Sequence, residues 1–525
     1  MMTSQKTDPE KSIRLAVLAE EIYTVLAEQF PVCLASDEFH FFPQYRSSHP
    51  QWDQWDDFSS DAVHKFLART SRWVEALEGL RPARPGSTRD VDVDLLQKML
   101  ITLQEQIAKV RPQQNQPTFY LTIISIGLAE ALEASEDAFN QRLMGLPALI
   151  QTAIANLGPV PVVFRDLGID MIAKIKNWMY LLPLSDDAQR TAMDALDTFA
   201  EHLEMVELAE DFRLTNILYA RIADQHMGCQ MGLEEIAWHL DQEIEEAAQL
   251  LTQSAARIDP GKPWLSVYYD LPEPAAENND PATPYRQVIA RLKNHCLDHG
   301  IIDEKETAGC DVEIQTIPEH MMPVRANAAY SMPPGHPPRG GVFFILPLSR
   351  QMIPRDMMLL AAHETFPGHH LLDTHRWRLE KPLRRSLEFP IFYEGWASFA
   401  EEILFDTEFF GGPVDRLFMA KRRLWRAYRG RADLRIHTGR SSLEEAATTL
   451  AEVGLVTLDK ARAMVRRYAL KPGYQLAYAI GRRKFRQLYA TYLGQGHTPA
   501  HFIRKVLGQG EIGFDHLAVS LLNGK

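Results

Sequence analysis

The chain has 525 residues, of which 46% are hydrophobic and 24% are charged, and its formal net charge is −13. These values are ordinary for a globular protein, and the acidic balance argues against nucleic acid or an anionic membrane as the main partner. A chain of this length can bury a large core without disulfides or structural metals, so a metal site in it is expected to be functional.

The cysteines and the apolar runs indicate the compartment. Cys33, Cys229, Cys296 and Cys310 form no Cys-x-x-Cys pair and no recognisable disulfide framework, so we expect free thiols in a reducing environment. The first residues show no apolar segment of signal-peptide length, and no apolar run reaches the roughly 18 residues of a membrane helix. We therefore expect a cytoplasmic protein without a membrane partner.

Apolar residues recur at helical spacing along most of the sequence. The clearest predicted helices are residues 13–29, 95–110, 118–132, 191–206 and 233–258. Residues 259–286, rich in Pro, Asp, Asn and Ala, predict a long surface connection, and residues 331–340 predict a second loop. The apolar run 341–347, bounded by Gly and Pro, is the best strand. The pattern predicts a mainly helical fold.

A histidine-rich segment at residues 357–372 carries the clearest chemical signal. His363-Glu364 is followed by His369-His370. In the similar His-Glu-x-x-His motif, two histidines one helical turn apart bind zinc, and the Glu activates a water molecule. Here the residue four after His363 is Pro367, which cannot bind zinc, so this segment departs from that motif.

Helix geometry decides whether the longer spacing still allows a metal site. In a straight helix His363 and His370 would lie about 10 Å apart along the axis, whereas two ligands of one zinc must bring their nitrogens within about 4 Å. Pro367 and Gly368 break the helix. We predict that one helix ends near Phe366 and that another begins at about Gly368, which would turn His369 or His370 back toward His363.

A third ligand is expected from the next helix. Glu394 follows His369 by 25 residues, and Gly395 beside it leaves room for close approach to a metal or substrate. Three protein ligands and one open position are typical of a catalytic zinc site. Glu401 and Glu402 are expected to be solvated or to lie behind the ligands.

Two other patterns lie further along the chain. The short run 421–423, Lys-Arg-Arg, predicts a solvated helix face. Arg429, Asp433 and His437 recur every four residues and therefore share one face of a helix. A charged surface stripe would have the same spacing.

The two motifs together, His-Glu-x-x-Pro-Gly-His-His and Glu-Gly-Trp-Ala, resemble those of the bacterial DUF885 family. That family is zincin-like and distantly similar in fold to carboxypeptidase Taq and angiotensin-converting enzyme. Residues 140–159, 328–342 and 472–481 extend the resemblance. It implies a mainly α, two-lobed helical body around a deep cleft, with a small β-sheet at its edge. Residues 1–310 would form one side of the cleft and residues 311–525 the catalytic region, within one continuous family domain.

The resemblance also implies roles for individual residues. It implies one zinc ion bound by His363, His369 and Glu394, with Glu364 as the general base. We prefer His369 because the Gly-His pair parallels the ordinary zincin motif. His370 is then the alternate ligand or a residue behind the ligands.

Further along the chain, the resemblance implies that Asp433 orients His437. Tyr478 and His437 would then stabilise the oxyanion, with Arg429 close by. The sequence departs from the family at Leu372 and Tyr474, where the family often has Gln. We therefore expect a different substrate preference.

The expected function is that of a zinc metallopeptidase-like hydrolase acting on short peptides or small amides. Residues 342–346 could pair with an extended substrate. The alternative is a metal-dependent hydrolase of an amide in a small metabolite of a biosynthetic pathway. A helical binding protein without catalysis is the third possibility. The sequence leaves the oligomeric state open.

Overall fold

A computed structural model describes residues 9–82, 87–182, 186–274, 280–318, 321–322, 328–346 and 354–522. Helices dominate these residues, so the prediction of a mainly α fold is confirmed.

The helices of the first half, in chain order, are α1 (Pro9–Gln29), α2 (Pro31–Ala35), α3 (Ser60–Leu80), α4 (Thr88–Glu105), α5 (Pro112–Asn115), α6 (Pro117–Ala134), α7 (Glu136–Asn156), α8 (Val162–Tyr180), α9 (Asp186–Met205), α10 (Asn216–Arg221) and α11 (Leu233–Ile258). Those of the second half are α12 (Trp264–Asp270), α13 (Ala282–Asp298), α14 (Glu304–Thr307), α15 (Met357–Glu364), α16 (His369–Arg376), α17 (Pro382–Ser386), α18 (Pro390–Asp406), α19 (Pro413–His437), α20 (Leu443–Gly454), α21 (Leu458–Leu470), α22 (Leu476–Gly494), α23 (Pro499–Leu507) and α24 (Phe514–Leu522). Two π-helical turns, Gln106–Val110 and Ile222–His226, extend α4 and α10.

The strands form two small sheets among the described residues. They are β1 (Val160–Pro161), β2 (Leu208–Ala209), β3 (Val312–Thr316), β4 (Ala329–Ser331) and β5 (Gly341–Ile345). Strand β1 pairs with β2 in parallel. Strand β5 is the middle strand of the other sheet, parallel to β3 and antiparallel to β4. Because β5 is paired on both sides, an extended substrate would have to pair with β3 or β4 instead.

Contacts divide the chain into two compact units. The first contains the described parts of Met1–Phe212, Pro318–Ala326 and Leu379–Leu387, and the second contains those of Arg213–Ile317, Asn327–Arg378 and Glu388–Lys525. The division after residue 310, like the two-lobed cleft, stays a prediction. All candidate site residues belong to the second unit.

Most of the predicted elements match the structure within a few residues. Helices α1, α6 and α11 cover three of the five predicted helices, α4 with its π-helical turn covers 95–110, and α9 covers 191–205. Strand β5 covers the predicted strand up to residue 345. Residue 347, its predicted end, lies outside the described residues. The interpretation of 259–286 as a connection is wrong in part, because it contains α12. Val267 and Tyr268 of that helix are buried against α11 and α19. This packing stabilises a short helix that the polar composition of the flanking residues did not predict.

A close crossing of α18 and α22 positions the candidate site. A Cβ atom on Gly395 of α18 would lie 2.6 Å from the Cα of Gly481 on α22. A Cβ atom on Gly481 would lie 2.2 Å from the carbonyl oxygen of Ile391. The space that Gly395 leaves is therefore filled by the backbone of α22, and only glycine fits at this distance.

Among the residues that the structure describes, no helix combines the length and the apolar character needed to cross a membrane.

Candidate metal centre

The bend between α15 and α16 brings the two halves of the histidine motif together. Helix α15 ends at Glu364 and α16 begins at His369, each within two residues of the predicted boundary. A Cβ atom on Gly368 would lie 1.9 Å from the carbonyl oxygen of His363, so the turn has room only for glycine. The indole nitrogen of Trp396 donates to the Pro367 carbonyl at 3.0 Å and fixes the turn against α18.

Three buried side chains converge at this bend. His363 Nε2 and His369 Nε2 lie 3.6 and 3.5 Å from Glu394 Oε2. Ligand atoms of all three residues lie within 4.8 Å of one another. The structure thus brings together the predicted ligands His363, His369 and Glu394.

The donor set fits a zinc ion. Ligands about 2.0–2.2 Å from a tetrahedral zinc lie about 3.4 Å apart, close to the two distances measured here. Among the described residues, no hydrogen-bond donor reaches the buried Oε2 of Glu394. Burial would raise the pKa of Glu394, but the two facing imidazoles hold it well below its usual range. A buried, ionised carboxylate oxygen that faces two imidazole nitrogens is a suitable ligand for a shared cation.

Glu364 lies beside the cluster and is 6% exposed. Burial, together with the charge of Glu394, raises the pKa of Glu364 to about 7, although His369 acts in the opposite direction. A divalent cation in the cluster would lower this pKa again, because an opposite charge favours the ionised form. A carboxyl group that titrates near neutrality can accept and return a proton.

Glu401 supports His363 from behind and is fully buried. Its Oε1 lies 3.1 Å from His363 Nδ1, and Arg422 and Arg426 both donate to the carboxylate. Burial opposes ionisation, but the two guanidinium groups hold the pKa of Glu401 well below its usual range. With a metal ion on Nε2 of His363, Nδ1 would carry the ring hydrogen and donate it to Glu401, although Arg426 Nη2 also lies 3.1 Å from Nδ1. Such a carboxylate fixes the orientation of a ligating histidine.

The sequence did not reveal that arginines bind the carboxylate of Glu401. The Arg422 side chain is only 13% exposed, and it also binds Asp356 at 3.0 Å. Arg423 is 15% exposed and binds Glu243, so the prediction of a solvated face at 421–423 is wrong for both arginines. The spacing of Arg422, Arg426 and Arg429 on one face of α19 was the available signal.

Two tyrosines hold the other oxygen of the ligand carboxylate. Tyr474 and Tyr478 donate to Glu394 Oε1 at 2.9 and 2.6 Å. Tyr478 thus contacts a candidate ligand, and its predicted role in stabilising an oxyanion stays a prediction. The guanidinium of Arg429 lies 4.3 Å from the centre of the Tyr478 ring. Tyr474 was recognised in the sequence only as a departure from the family.

His370 does not take part in the cluster. Its Nε2 lies 3.2 Å from the carbonyl oxygen of Cys310, and its Nδ1 lies 2.8 Å from the hydroxyl of Tyr330. Burial lowers the pKa of His370 to about 4, so the ring is neutral at pH 7. It then donates to Cys310 and accepts from Tyr330, which engages both nitrogens and leaves neither for a metal.

Asp433 and His437 are arranged differently from the prediction. Asp433 accepts hydrogen bonds from the backbone N–H groups of Gly473 and Gln475 and from the Tyr219 hydroxyl. Its Oδ1 is 3.9 Å from His437 Nε2, too far for the expected hydrogen bond. His437 stacks on Tyr219 and donates to a backbone carbonyl. Asp433 thus anchors the turn that leads into α22, and the oxyanion role of His437 stays a prediction.

The protein is mainly helical and contains a candidate metal centre. Two buried imidazoles and a carboxylate form this centre, and a second carboxylate and two tyrosines support them. The chain matches the family model described as "Bacterial protein of unknown function (DUF885)" over residues 45–521, and it belongs to this family. No curated protein matches the sequence.

Solved structures with the same fold include proteins of Colwellia psychrerythraea and Shewanella oneidensis. A "putative lipoprotein" of Colwellia psychrerythraea is 16% identical with a TM-score of 0.75, and the match covers 98% of this chain and 99% of that one. A "putative lipoprotein of unknown function" of Shewanella oneidensis is 16% identical with a TM-score of 0.73, and the match covers 96% and 98%. At this identity the similarity establishes the fold alone.

Proposed function

We propose that the protein is a zinc-dependent, zincin-like hydrolase that cleaves peptide or amide bonds in short substrates. One observation carries the proposal: ligand atoms of His363, His369 and Glu394 lie within 4.8 Å of one another, and Glu364 lies beside them. An ion held there would polarise a carbonyl group and make a water molecule more acidic. Three protein ligands, rather than four, leave a position open for chemistry.

The side chains around the centre can divide the reaction among them. Glu364 accepts a proton from the attacking water and returns it to the leaving amine. Glu401 keeps His363 in one orientation and tautomer. Tyr474 and Tyr478 fix the plane of the Glu394 carboxylate, and movement of either hydroxyl away from Glu394 would supply a donor for the oxyanion.

A second candidate is the hydrolysis of an amide in a small metabolite of a biosynthetic pathway. Tyr474, which stands where the family often has Gln, supports it because its hydroxyl lies 2.9 Å from the ligand carboxylate. A change so close to the reaction centre would alter which acyl groups fit. Hydrolysis of one small amide, together with inactivity on peptides, would favour this candidate.

The test combines metal analysis with an activity screen of peptides and small amides. Wild type should contain one zinc per chain, and Glu364→Gln should retain the zinc but lose turnover by about 1,000-fold or more. Glu28→Gln, a substitution on α1 in the other unit, is the matched control and should behave like wild type. Wild-type turnover by Glu364→Gln would exclude the proposed base. The absence of stoichiometric zinc would favour a helical binding protein.

We also propose a cytoplasmic location. Cys33, Cys229, Cys296 and Cys310 are free and buried, which suits a reducing compartment. Cell fractionation of the native host should recover the protein with cytoplasmic markers. Recovery with the membrane fraction would refute the proposed location.

A further inference from the structure

Arg429 differs from the neighbouring arginines of α19 in what balances its charge. Arg422 and Arg426 both bind the carboxylate of Glu401. Arg429 instead donates from Nε and Nη2 to the side-chain oxygen of Gln475, which is a neutral amide. Within the described part of the chain, no carboxylate forms an ion pair with Arg429. Its positive charge therefore lacks a direct counter-charge.

The position of Arg429 connects it to the metal centre. Its guanidinium lies 4.3 Å from the centre of the Tyr478 ring, and the hydroxyl of that ring donates to Glu394 at 2.6 Å. One tyrosine ring thus separates the guanidinium from a candidate metal ligand. Taken as a whole residue, Arg429 is half-buried.

The charges of the occupied centre add to this argument. The two carboxylates nearest a divalent ion, Glu394 and Glu364, would balance that ion. The arginines behind the centre are already balanced by Glu401 and Asp356. Arg429 would then carry the remaining positive charge, and an anionic substrate would complete the balance.

We propose that Arg429 binds a carboxylate of the substrate, so that the protein selects peptides or amides with a free carboxylate next to the scissile bond. This inference rests on the proposed hydrolase function. Gln475 accepts hydrogen bonds from Nε and Nη2, so the charge-assisted hydrogen bond to the substrate would come from Nη1, in competition with the neighbouring Tyr478 hydroxyl. Gln475 is itself fixed, because its backbone N–H donates to Asp433 at 3.0 Å.

The first test compares benzoylglycylphenylalanine with its C-terminal carboxamide. Wild type should hydrolyse the free acid with a kcat/KM on the order of 10- to 100-fold higher, the effect of one charge-assisted contact. Arg429→Gln should lose this preference. Gln475→Glu should lose it as well, because the new carboxylate would neutralise an Arg429 that remains in place. Arg435→Gln, the same change at an exposed position of α19, should keep the wild-type ratio.

The second test measures binding without turnover. Calorimetry on zinc-loaded Glu364→Gln should show tighter binding of the acid than of the carboxamide, and adding Arg429→Gln should remove the difference. Equal rates on both compounds in wild type would overturn the inference. An equal loss on both in Arg429→Gln would also overturn it, because Arg429 would then only support Tyr478. Carboxylate-dependent binding without turnover in wild type would instead support Arg429 as the anion site and reject the hydrolase.

Discussion

Replacing Glu401 with Gln tests whether the carboxylate behind His363 orients a metal ligand. Gln has the same size and keeps one oxygen acceptor, but it removes the negative charge. It also turns an amide N–H₂ toward Arg422 and Arg426, which both need an acceptor. The backbone and the three proposed metal ligands stay unchanged.

The structure gives the size of two separate effects. Loss of the carboxylate that orients a ligating histidine should weaken zinc binding by about 10- to 100-fold, or about 1.4–2.8 kcal/mol. Loss of a buried carboxylate between two guanidinium groups should lower the free energy of unfolding of the metal-free protein by about 3–5 kcal/mol. Only the first effect is specific to the metal centre.

The assay therefore needs a variant with the second effect alone. Glu243 is 2% exposed and accepts hydrogen bonds from Arg423 and Arg482 without contacting a proposed ligand. Zinc affinity would be measured by competition with a fluorescent chelator, and unfolding by urea titration of the metal-free proteins. Both Glu401→Gln and Glu243→Gln should lose stability, but only Glu401→Gln should lose zinc affinity.

Two results would refute this reasoning. If Glu401→Gln binds zinc as tightly as wild type, the contact with His363 Nδ1 does not support the ligand. If Glu243→Gln loses as much affinity as Glu401→Gln, the weakening follows from general destabilisation of the unit.

Three further predictions address the turn, the tyrosines and the pH dependence. Gly368→Ala should lower the free energy of unfolding by about 3 kcal/mol and abolish zinc binding, because its Cβ would meet backbone. Gly494→Ala has open space around it and should leave stability unchanged in the same thermal melts. Tyr474→Phe should weaken zinc binding roughly fivefold in chelator competition, through the loss of one hydrogen bond to Glu394. Burial raises the pKa of Asp56 to about 6. The folded state therefore keeps a proton that the unfolded chain releases, and stability should fall by up to about 3 kcal/mol from pH 4 to pH 6. In urea titrations, Asp56→Asn should not show this loss of stability between pH 4 and pH 6. A loss equal to that of wild type would mean that other groups cause it.

Local rules predicted the parts of the site that lie close together in sequence. Pro367 and Gly368 had to end the helix, so the return of a histidine toward His363 followed from the backbone preferences of two residues. The sequence alone left His369 and His370 open. The structure separates them, because Tyr330 and Cys310 engage both nitrogens of His370.

Contacts between distant segments could not be predicted in the same way. The hydroxyl of Tyr474 reaches Glu394 because two helices cross at glycine, and no local pattern encodes that distance. The four-residue spacing of Asp433 and His437 places them on one face of α19. Spacing cannot predict which backbone N–H groups of another segment will donate hydrogen bonds to Asp433. Likewise, the short basic run at 421–423 is the same in sequence whether Arg422 faces solvent or a buried Glu401.

The contact between Gly395 and Gly481 has a consequence for reading related genomes. A side chain larger than hydrogen at either position would push the helix that carries Tyr478 outward by about an ångström and separate Tyr478 from Glu394. Homologues with intact histidines but a bulky residue at one of these positions should therefore have a remodelled or inactive centre. The two glycines would therefore separate family members with an intact centre from those without one, which the histidine motif alone does not do.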